Sequence, residues 1–559
     1  MKANEKFTAL NCNNTDPRTR RYLFPKRIVY TQGNVSGEEG LLLDKANQIS
    51  FSTDNCCLLE NKKGEPHAGI LVDFGIEFAG SFKIMVRSIT PKGSRVDILV
   101  RLGESVSEAL TPITVKNTTN DHANRDQIIN VGVLSANETN ESGYRFAYIE
   151  LLGDDCAVLL KSLQGVASYR DIDYIGSFEC SDQKLTDVWN TAAYTVHMCM
   201  QEHLWDGIKR DRLVWIGDIH PEVKTILSVF GNQSVIADSL DLVRNDSPDG
   251  TWMNNIAPYS LWWVIIHHEL FVATGDIEYL GEQRDYLKNL MTRVADFVSE
   301  NGAERIPERR LLDWPNEANE QGKHAGLHGL LKWALDSGAA LLRALGEDET
   351  AELCERQAKK MYAYVPDCNG SKQAAALLVL SGIADAKKIN DEIISVGGAH
   401  GYSTFFGYYL LKAKALAGDF SGALDDIKSY WGAMLDMGAT TFWEDFDIDW
   451  TVGAARIDEM VGEGKKDVHG DYGAYCYKNF RHSLCHGWSS GPCAYLTNYV
   501  LGIRAISADT YEIKPELSYL DWVKGTYPTI YGVIEVSARR EGDTTVVDIK
   551  APKEIKVIR

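Results

Sequence analysis

The sequence predicts a multidomain protein with an N-terminal β-sandwich, a central α/α toroid (a six-hairpin arrangement) and a short C-terminal β segment. Three observations carry this reading. Up to about residue 170, short β-branched and aromatic runs alternate with Gly and Pro punctuation, the texture of regularly spaced strands. From about residue 180 to 504, apolar residues recur at helical spacing between short polar turns. After Ala508 the texture returns to strand. With 559 residues the chain exceeds one ordinary core, and the predicted boundaries are 1–172, 173–505 and 506–559.

In the first domain the expected strands are Ile70 to Phe74, Gly80 to Arg87, Arg95 to Arg101 and Tyr144 to Leu152. In the second, helical periodicity marks Leu185 to Met200, Ile256 to Thr274, Tyr279 to Ser299, Leu327 to Leu345, Thr404 to Ala417 and Phe420 to Met434. Turns such as Thr274-Gly275-Asp276 and Ala417-Gly418-Asp419 close several of them. About a dozen helices in series suit an inner ring wrapped by an outer one. In the tail, Thr510 to Ile513, Val533 to Ala538 and Thr544 to Ile549 read as strands. This segment is short for a free domain and is expected to complete a sheet packed on the helices.

Composition narrows the function. The chain is 44% hydrophobic and 24% charged, as globular proteins are, and carries a net charge of −20. That charge argues against nucleic acid and against an anionic membrane surface. The N-terminus lacks an apolar run of signal-peptide length, so a cytoplasmic location is expected unless an export signal is missing. Eleven cysteines, scattered without metal-type spacing, read as mostly reduced, buried thiols. His267-His268-Glu269 is a poor metal set, because adjacent helical side chains point about 100° apart. No metal or cofactor is expected; phosphate loop, dinucleotide fingerprint and nucleophile elbow are all missing from the sequence.

Two runs concentrate chemistry. Trp205 to Asp218, WDGIKRDRLVWIGD, holds Asp206, Asp211 and Asp218 beside Lys209, Arg210, Arg212 and two tryptophans. Arginines hold a neighbouring aspartate ionised, while burial against an indole raises its pKa. Acid–base sites are built from such opposed pressures. Met437 to Trp450, MGATTFWEDFDIDW, places Glu444 directly after Trp443. An indole stacks on the apolar side of a pyranose, and a carboxylate handles hydroxyls or water. Two such clusters more than 200 residues apart suggest a glycoside hydrolase, which works with two carboxyl groups flanking the scissile bond.

These runs, with SLCHGWSSGP at Ser483 to Pro492, resemble the motifs of the α-L-rhamnosidases of glycoside hydrolase family 78. Asp206, Asp211, Arg212, Leu213, Trp215, Gly217 and Asp218 take the places of the family's acid motif. The GATTFWE run takes the place of its base motif. The resemblance implies an inverting mechanism with Asp211 as general acid, where many members carry Glu, and Glu444 as general base. It also implies a sugar contact at His486, beside Trp488, and a pocket wall at Asp313-Trp314, within LLDWPN. Asp206 and Asp218 are expected to bind hydroxyls rather than react, with capping or ion pairing as the alternative. Arg210 either binds hydroxyls or orients an acid. Trp215 and Trp443 are expected at the sugar, and Asp445 or Asp447 remain rival bases. Trp262 and Trp263 read as core, Trp252 stays open, and Asn120 to Asp126 (NDHANRD) reads as a plain turn or a support of the pocket rim. The implied partner is a small-molecule or oligosaccharide rhamnoside. Two rivals stand beside this: a toroid glycosidase for another sugar, and a non-catalytic carbohydrate-binding relative, the latter favoured by Asp at 211.

Overall fold

The computed structural model describes residues 15–559; residues 1–14 of the predicted first domain, Cys12 among them, lie outside the described residues. The chain begins with ten strands joined in one hydrogen-bonded sheet. Its main path runs Asn34–Ser36, Cys57–Asn61, Cys156–Tyr169, Gly69–Thr90, Ser142–Leu151, Val96–Gly103, Asp126–Val131. The runs predicted as separate strands at 70–74 and 80–87 belong to one 22-residue strand, Gly69–Thr90. Gly75 and Gly80 lie within it at φ 84° and 154°, backbone that side chains disfavour. A Cβ on Gly80 would also lie 2.0 Å from the Val166 carbonyl oxygen. The pairing register with Ser142–Leu151 shifts here, between Asp73 and Phe78. The first half of the strand pairs with Arg27–Gln32 and the second with Cys156–Tyr169. Ile70, Val72, Phe74, Phe78, Phe82, Ile84 and Tyr144 are all buried in one apolar cluster.

From residue 183 the chain is mainly helical. Six helices close into a ring: Ile219–Val229 packs on Ala257–Thr274, then Glu320–Ala344, Lys372–Leu380, Gly407–Ala417 and Gly491–Tyr495, which returns to Ile219–Val229. Sequence decides which helices sit inside. Ala257–Thr274 (APYSLWWVIIHHELFVAT) is apolar nearly all round and is buried on every side over its first three turns. Arg284–Ala295 buries only Leu287, Leu290, Met291, Val294 and Ala295, an i, i+3, i+4, i+7 stripe, and belongs to the outer layer. Asp348–Lys360 and Phe420–Asp436 show comparable one-sided burial. Gly275 and Gly418 end their helices in the left-handed conformation. The run predicted as one helix over 279–299 divides into Ile277–Glu282 and Arg284–Ala295 at Gln283.

The C-terminal strands form two small sheets. Ile503–Ser507, Thr510–Ile513 and Lys556–Ile558 make one. Trp522–Thr529, Gly532–Glu541 and Thr544–Lys550 make the other, with Ser177–Cys180 from the start of the helical part as its edge. The ten cysteines among the described residues are free thiols, most of them buried. Among the described residues no helix is long and apolar enough to cross a membrane.

Candidate active site

The inner helices begin at one end of the ring, and their entry loops surround a cavity of about 370 Å³. Nine of the eleven singled-out residues line it: Asp206, Arg210, Asp211, Trp215, Asp218, Trp314, Glu444, His486 and Trp488. The helix Gln183–Cys199 ends just before the first motif, which then follows an irregular path. Asp211 and Arg212 both hold left-handed backbone, φ 57° and 55°, and the Arg212 N–H bonds the Arg210 carbonyl at 2.8 Å. Two consecutive non-glycine residues in this region are strained. The turn aims Asp211 into the cavity and Arg212 away from it, onto the His122 and Glu141 carbonyls.

The second motif is laced to the third. The Glu444 N–H bonds the Ser483 carbonyl at 2.9 Å, and the Ser483 N–H returns a 2.9 Å bond to Glu444 Oε2. Thr404 Oγ1 and Trp488 Nε1 both donate to the Glu444 carbonyl, at 2.6 and 3.0 Å. The His486 N–H bonds the Phe442 carbonyl, and the Gly487 N–H bonds that of Asp206. All three motifs therefore converge through backbone hydrogen bonds, which explains how residues so distant in sequence hold one geometry.

Arg210 sits between the two candidate reacting groups. Its Nη1 donates to Asp211 Oδ1 at 2.9 Å and its Nη2 to Glu444 Oε1 at 2.6 Å. The terminal nitrogens of a guanidinium are about 2.3 Å apart, so the nearest oxygens of the two carboxylates are separated by no more than about 8 Å. Burial opposes the Arg210 charge, but Glu444 and Asp211 outweigh it and raise its pKa. Trp215 Nε1 donates to Asp211 Oδ2 at 3.1 Å, and His122 Nδ1 lies 3.3 Å from Asp211 Oδ1.

Asp206 and Asp218 are buried. Asp206 accepts the Leu213 N–H at 2.9 Å and Asp218 accepts the Tyr259 hydroxyl at 2.8 Å. Burial, reinforced by the charge of Asp211 for the first and of Asp206 for the second, raises both pKa values well above the ordinary aspartate range. His486 Nε2 lies 3.6 Å from Asp206 Oδ2 and 3.7 Å from Glu444 Oε1. Burial lowers its pKa to about 4, so it is a neutral imidazole at neutral pH.

Two residues expected at the sugar lie behind the cavity wall. Trp443 is 0% exposed, edge-on to Phe446, and points away from the side on which Glu444 emerges. Asp313 is a cap: it accepts the Trp314 N–H at 2.9 Å and the Ser403 hydroxyl at 2.5 Å, and burial raises its pKa to about 7. Its partner Trp314 does reach the cavity, stacked on Tyr475. Asp445 and Asp447, weighed as rival bases, stand outside the lining. The first gives its N–H to His482 Nε2, and the second caps a turn at Ile448–Thr451. Trp262 and Trp263 are buried core, and His267 is fixed on the Trp263 carbonyl.

Sequence reasoning missed Tyr259, Tyr477, Asn254, Arg309 and Arg310, all of which line the cavity. Tyr259 follows from the ring itself, since it opens an inner helix. Arg309 carried a signal visible only in three dimensions, a left-handed φ of 56° at the rim. The NDHANRD run does support the rim, through His122 on Asp211 and Asp121 on Arg481. The buried set Glu104, Glu108 and His469 has metal-like spacing, but the Lys209 ammonium already sits on Glu104 and Glu108, at 2.8 and 3.2 Å.

Residues 173–366 match the family model of the bacterial alpha-L-rhamnosidase 6 hairpin glycosidase domain. Among solved structures, the GH78 rhamnosidase of Bacillus sp. GL1 is similar at 20% identity and TM-score 0.75, over 93% of this chain and 55% of that one. The rhamnosidase from Klebsiella oxytoca with rhamnose bound is similar at 20% identity and TM-score 0.68, over 86% of this chain and 95% of that one. The Streptomyces avermitilis α-L-rhamnosidase complexed with L-rhamnose gives 15% identity and TM-score 0.69, over 96% and 49%. The chain thus spans about half the length of two of these relatives and nearly all of the third. No curated protein sequence matches it. At these identities the likeness to the solved structures is one of fold. In the sequence of its first helical half and in the fold of most of its length, this chain resembles the six-hairpin α-L-rhamnosidases of glycoside hydrolase family 78.

Proposed function

We propose that this protein hydrolyses a terminal α-L-rhamnoside with inversion, Asp211 acting as general acid and Glu444 as general base. The observation that carries the reading is the Arg210 clamp, which faces both carboxylates into one aromatic-walled cavity. Its volume falls in the range of about 300–1,000 Å³ usual for small-molecule pockets. The upper limit on carboxylate separation admits the roughly 6.5–9.5 Å of inverting glycosidases, which leave room for a water between base and sugar. Asp211 protonates the departing glycosidic oxygen, and Glu444 takes a proton from the water that attacks the anomeric carbon on the opposite face. Trp215, Trp314 and Trp488 supply apolar faces for the ring. Asp206, Asp218 and neutral His486 meet its hydroxyls. We read the ten-stranded sheet as a folded β-sandwich that buttresses the acid loop, with the C-terminal strands closing the opposite side.

The raised pKa of Asp206 favours a second assignment, in which Asp206 is the acid and Asp211 its charge partner. Leaving-group dependence separates the two. Loss of the true acid spares aryl rhamnosides whose phenol departs without a proton and abolishes turnover of alkyl rhamnosides. The central test is the pair Glu444→Gln and Asp211→Asn, assayed on an alkyl and an aryl α-L-rhamnoside beside aryl glycosides of other sugars. Turnover of another sugar in place of the rhamnoside would replace the substrate assignment. Binding without any turnover would make the protein a carbohydrate-binding relative.

A further inference from the structure

The inner helices run from the catalytic end to a second mouth. Tyr259, at the first turn of Ala257–Thr274, lines the catalytic cavity; Glu269, ten residues on, lines another. At about 1.5 Å per residue the two are separated by about 15 Å along the ring. This second cavity, of about 510 Å³, lies between the C-terminal halves of the inner helices and the C-terminal strands, and its walls include Trp333, Tyr408, Lys412, Lys224, Glu269 and Arg504.

Its charges do not balance. Glu269 is the carboxylate for three neighbours: Lys224 at 2.6 Å, Lys412 at 3.8 Å and His220 at 3.6 Å. Arg504 is already engaged by Glu512. Beyond that long contact to a shared carboxylate, Lys412 has aromatic faces, 4.9 Å from the centre of the Trp333 ring and 5.3 Å from that of Tyr408. Its side chain is 13% exposed, and its ammonium has no hydrogen-bond acceptor among the described residues. An ammonium has three hydrogens to place, and Glu269, which sits closer to Lys224, gives Lys412 no short bond. Burial accordingly lowers its pKa, and the attraction of Glu269 does not restore it. The negative ends of the inner helices favour cations at this end of the ring, yet they bring no oxygen to Lys412.

We propose that the far mouth of the toroid is a second binding site, for a small ligand bearing an oxyanion, with Lys412 and Lys224 on the charge and Trp333 and Tyr408 against the body of the ligand. A charge-assisted bond to the anion supplies the acceptor that Lys412 lacks. The site is independent of the catalytic reading and of whatever sugar the other end takes.

Titration calorimetry on the full chain, with inorganic phosphate and separately with D-glucuronate at constant ionic strength in chloride, tests this. Binding of phosphate identifies a phosphate site, and binding of glucuronate alone identifies a sugar acid stacked on the aromatics; either supports the proposal. Lys412→Met is expected to weaken that binding about tenfold or more, one charge-assisted contact being worth about that factor. Glu444→Gln is expected to leave it unchanged, which places it away from the catalytic end. Amine acetylation of the wild-type protein, read by mass spectrometry, provides a measurement that requires no variant. The anion that binds should protect Lys412 and Lys224. No heat and no protection with either anion at millimolar concentration, or binding unaltered by Lys412→Met, would overturn it.

Discussion

Arg210 holds two carboxylates at once, and the residue-scale predictions follow from that. Glu444→Gln keeps one acceptor oxygen, enough for either the Ser483 N–H or the guanidinium but not both, so the fold should be retained at some cost in stability while the carboxylate is lost. We expect turnover to fall by about 10²–10⁴-fold, the usual worth of a general base, with near-native circular dichroism. Asp211→Asn should lose a comparable factor on poor leaving groups. Asp206→Asn should mainly raise KM, because the amide keeps an oxygen for the Leu213 N–H and gives up one acceptor for the sugar; a collapse of kcat instead would support Asp206 as the acid. Asp313 makes a prediction about stability. Its folded pKa of about 7 lies above its ordinary value of 3.8, so the folded state binds the proton more tightly than the unfolded one. Its contribution to stability is therefore present below about pH 4 and is lost as the pH rises to about 7, at about 1.4 kcal/mol per unit of difference. Asp313→Asn keeps an oxygen for the Trp314 N–H, so the variant should gain stability over the wild type across that window in melts taken from pH 4 to 8. A constant difference between the two would contradict this.

At the scale of elements, the loop that carries Asp211 is held from outside the helical ring. Gly143, in the strand Ser142–Leu151, packs directly beneath it: a Cβ there would lie 2.6 Å from Ile208 Cγ1 and 2.8 Å from the Lys209 backbone nitrogen. Gly143→Val should displace the loop rather than unfold the sheet. Displacements near 1 Å can cost about 10²-fold in rate, so kcat should fall with near-native circular dichroism; full activity would mean that the sheet does not position Asp211. The same element shows what a sequence reveals. The strand Ser142–Leu151 was legible from its aromatic and β-branched run, and the helices Ala257–Thr274 and Phe420–Asp436 from their apolar spacing. The bend at Gly75 to Gly80 was not, because two strands with glycine between them and one strand bent at glycine share a pattern. The break at Gln283 was equally hidden, since apolar spacing continues across it. Among the site residues, Asp211 and Glu444 announced themselves by charge and aromatic density, but that signal does not say which way neighbours face. Trp443 was singled out for standing beside Glu444, and it packs into the core on the other side of the loop.

At the scale of the whole molecule, the sheet and the helical ring share a buried ionic core. Lys209, from the loop that carries Asp211, ends on Glu104, which directly follows the strand Val96–Gly103, and on Glu108 of the short helix Val106–Leu110, and it also donates to the carbonyls of Phe480 and His482. Glu104 in turn accepts the Ser483 hydroxyl and the Leu484 N–H beside the loop that carries Glu444. Breaking a buried pair by removing one partner costs about 3–5 kcal/mol. A chain lacking residues 1–172 should therefore fail to give an active soluble helical domain, read by expression and thermal melting; an active fragment would show that the sheet is dispensable. This coupling was invisible in the sequence, where Glu104 and Lys209 are two charges among many and only folding brings them together. The ring was readable from periodicity, and the cavity at its end from two clusters of acids and tryptophans.

The most direct measurement of the central claim is proton NMR of the wild-type protein turning over an aryl α-L-rhamnoside, recorded before mutarotation. β-L-rhamnose is expected to appear first, as water enters opposite the departing oxygen. The α anomer first, or no release of rhamnose, would contradict it.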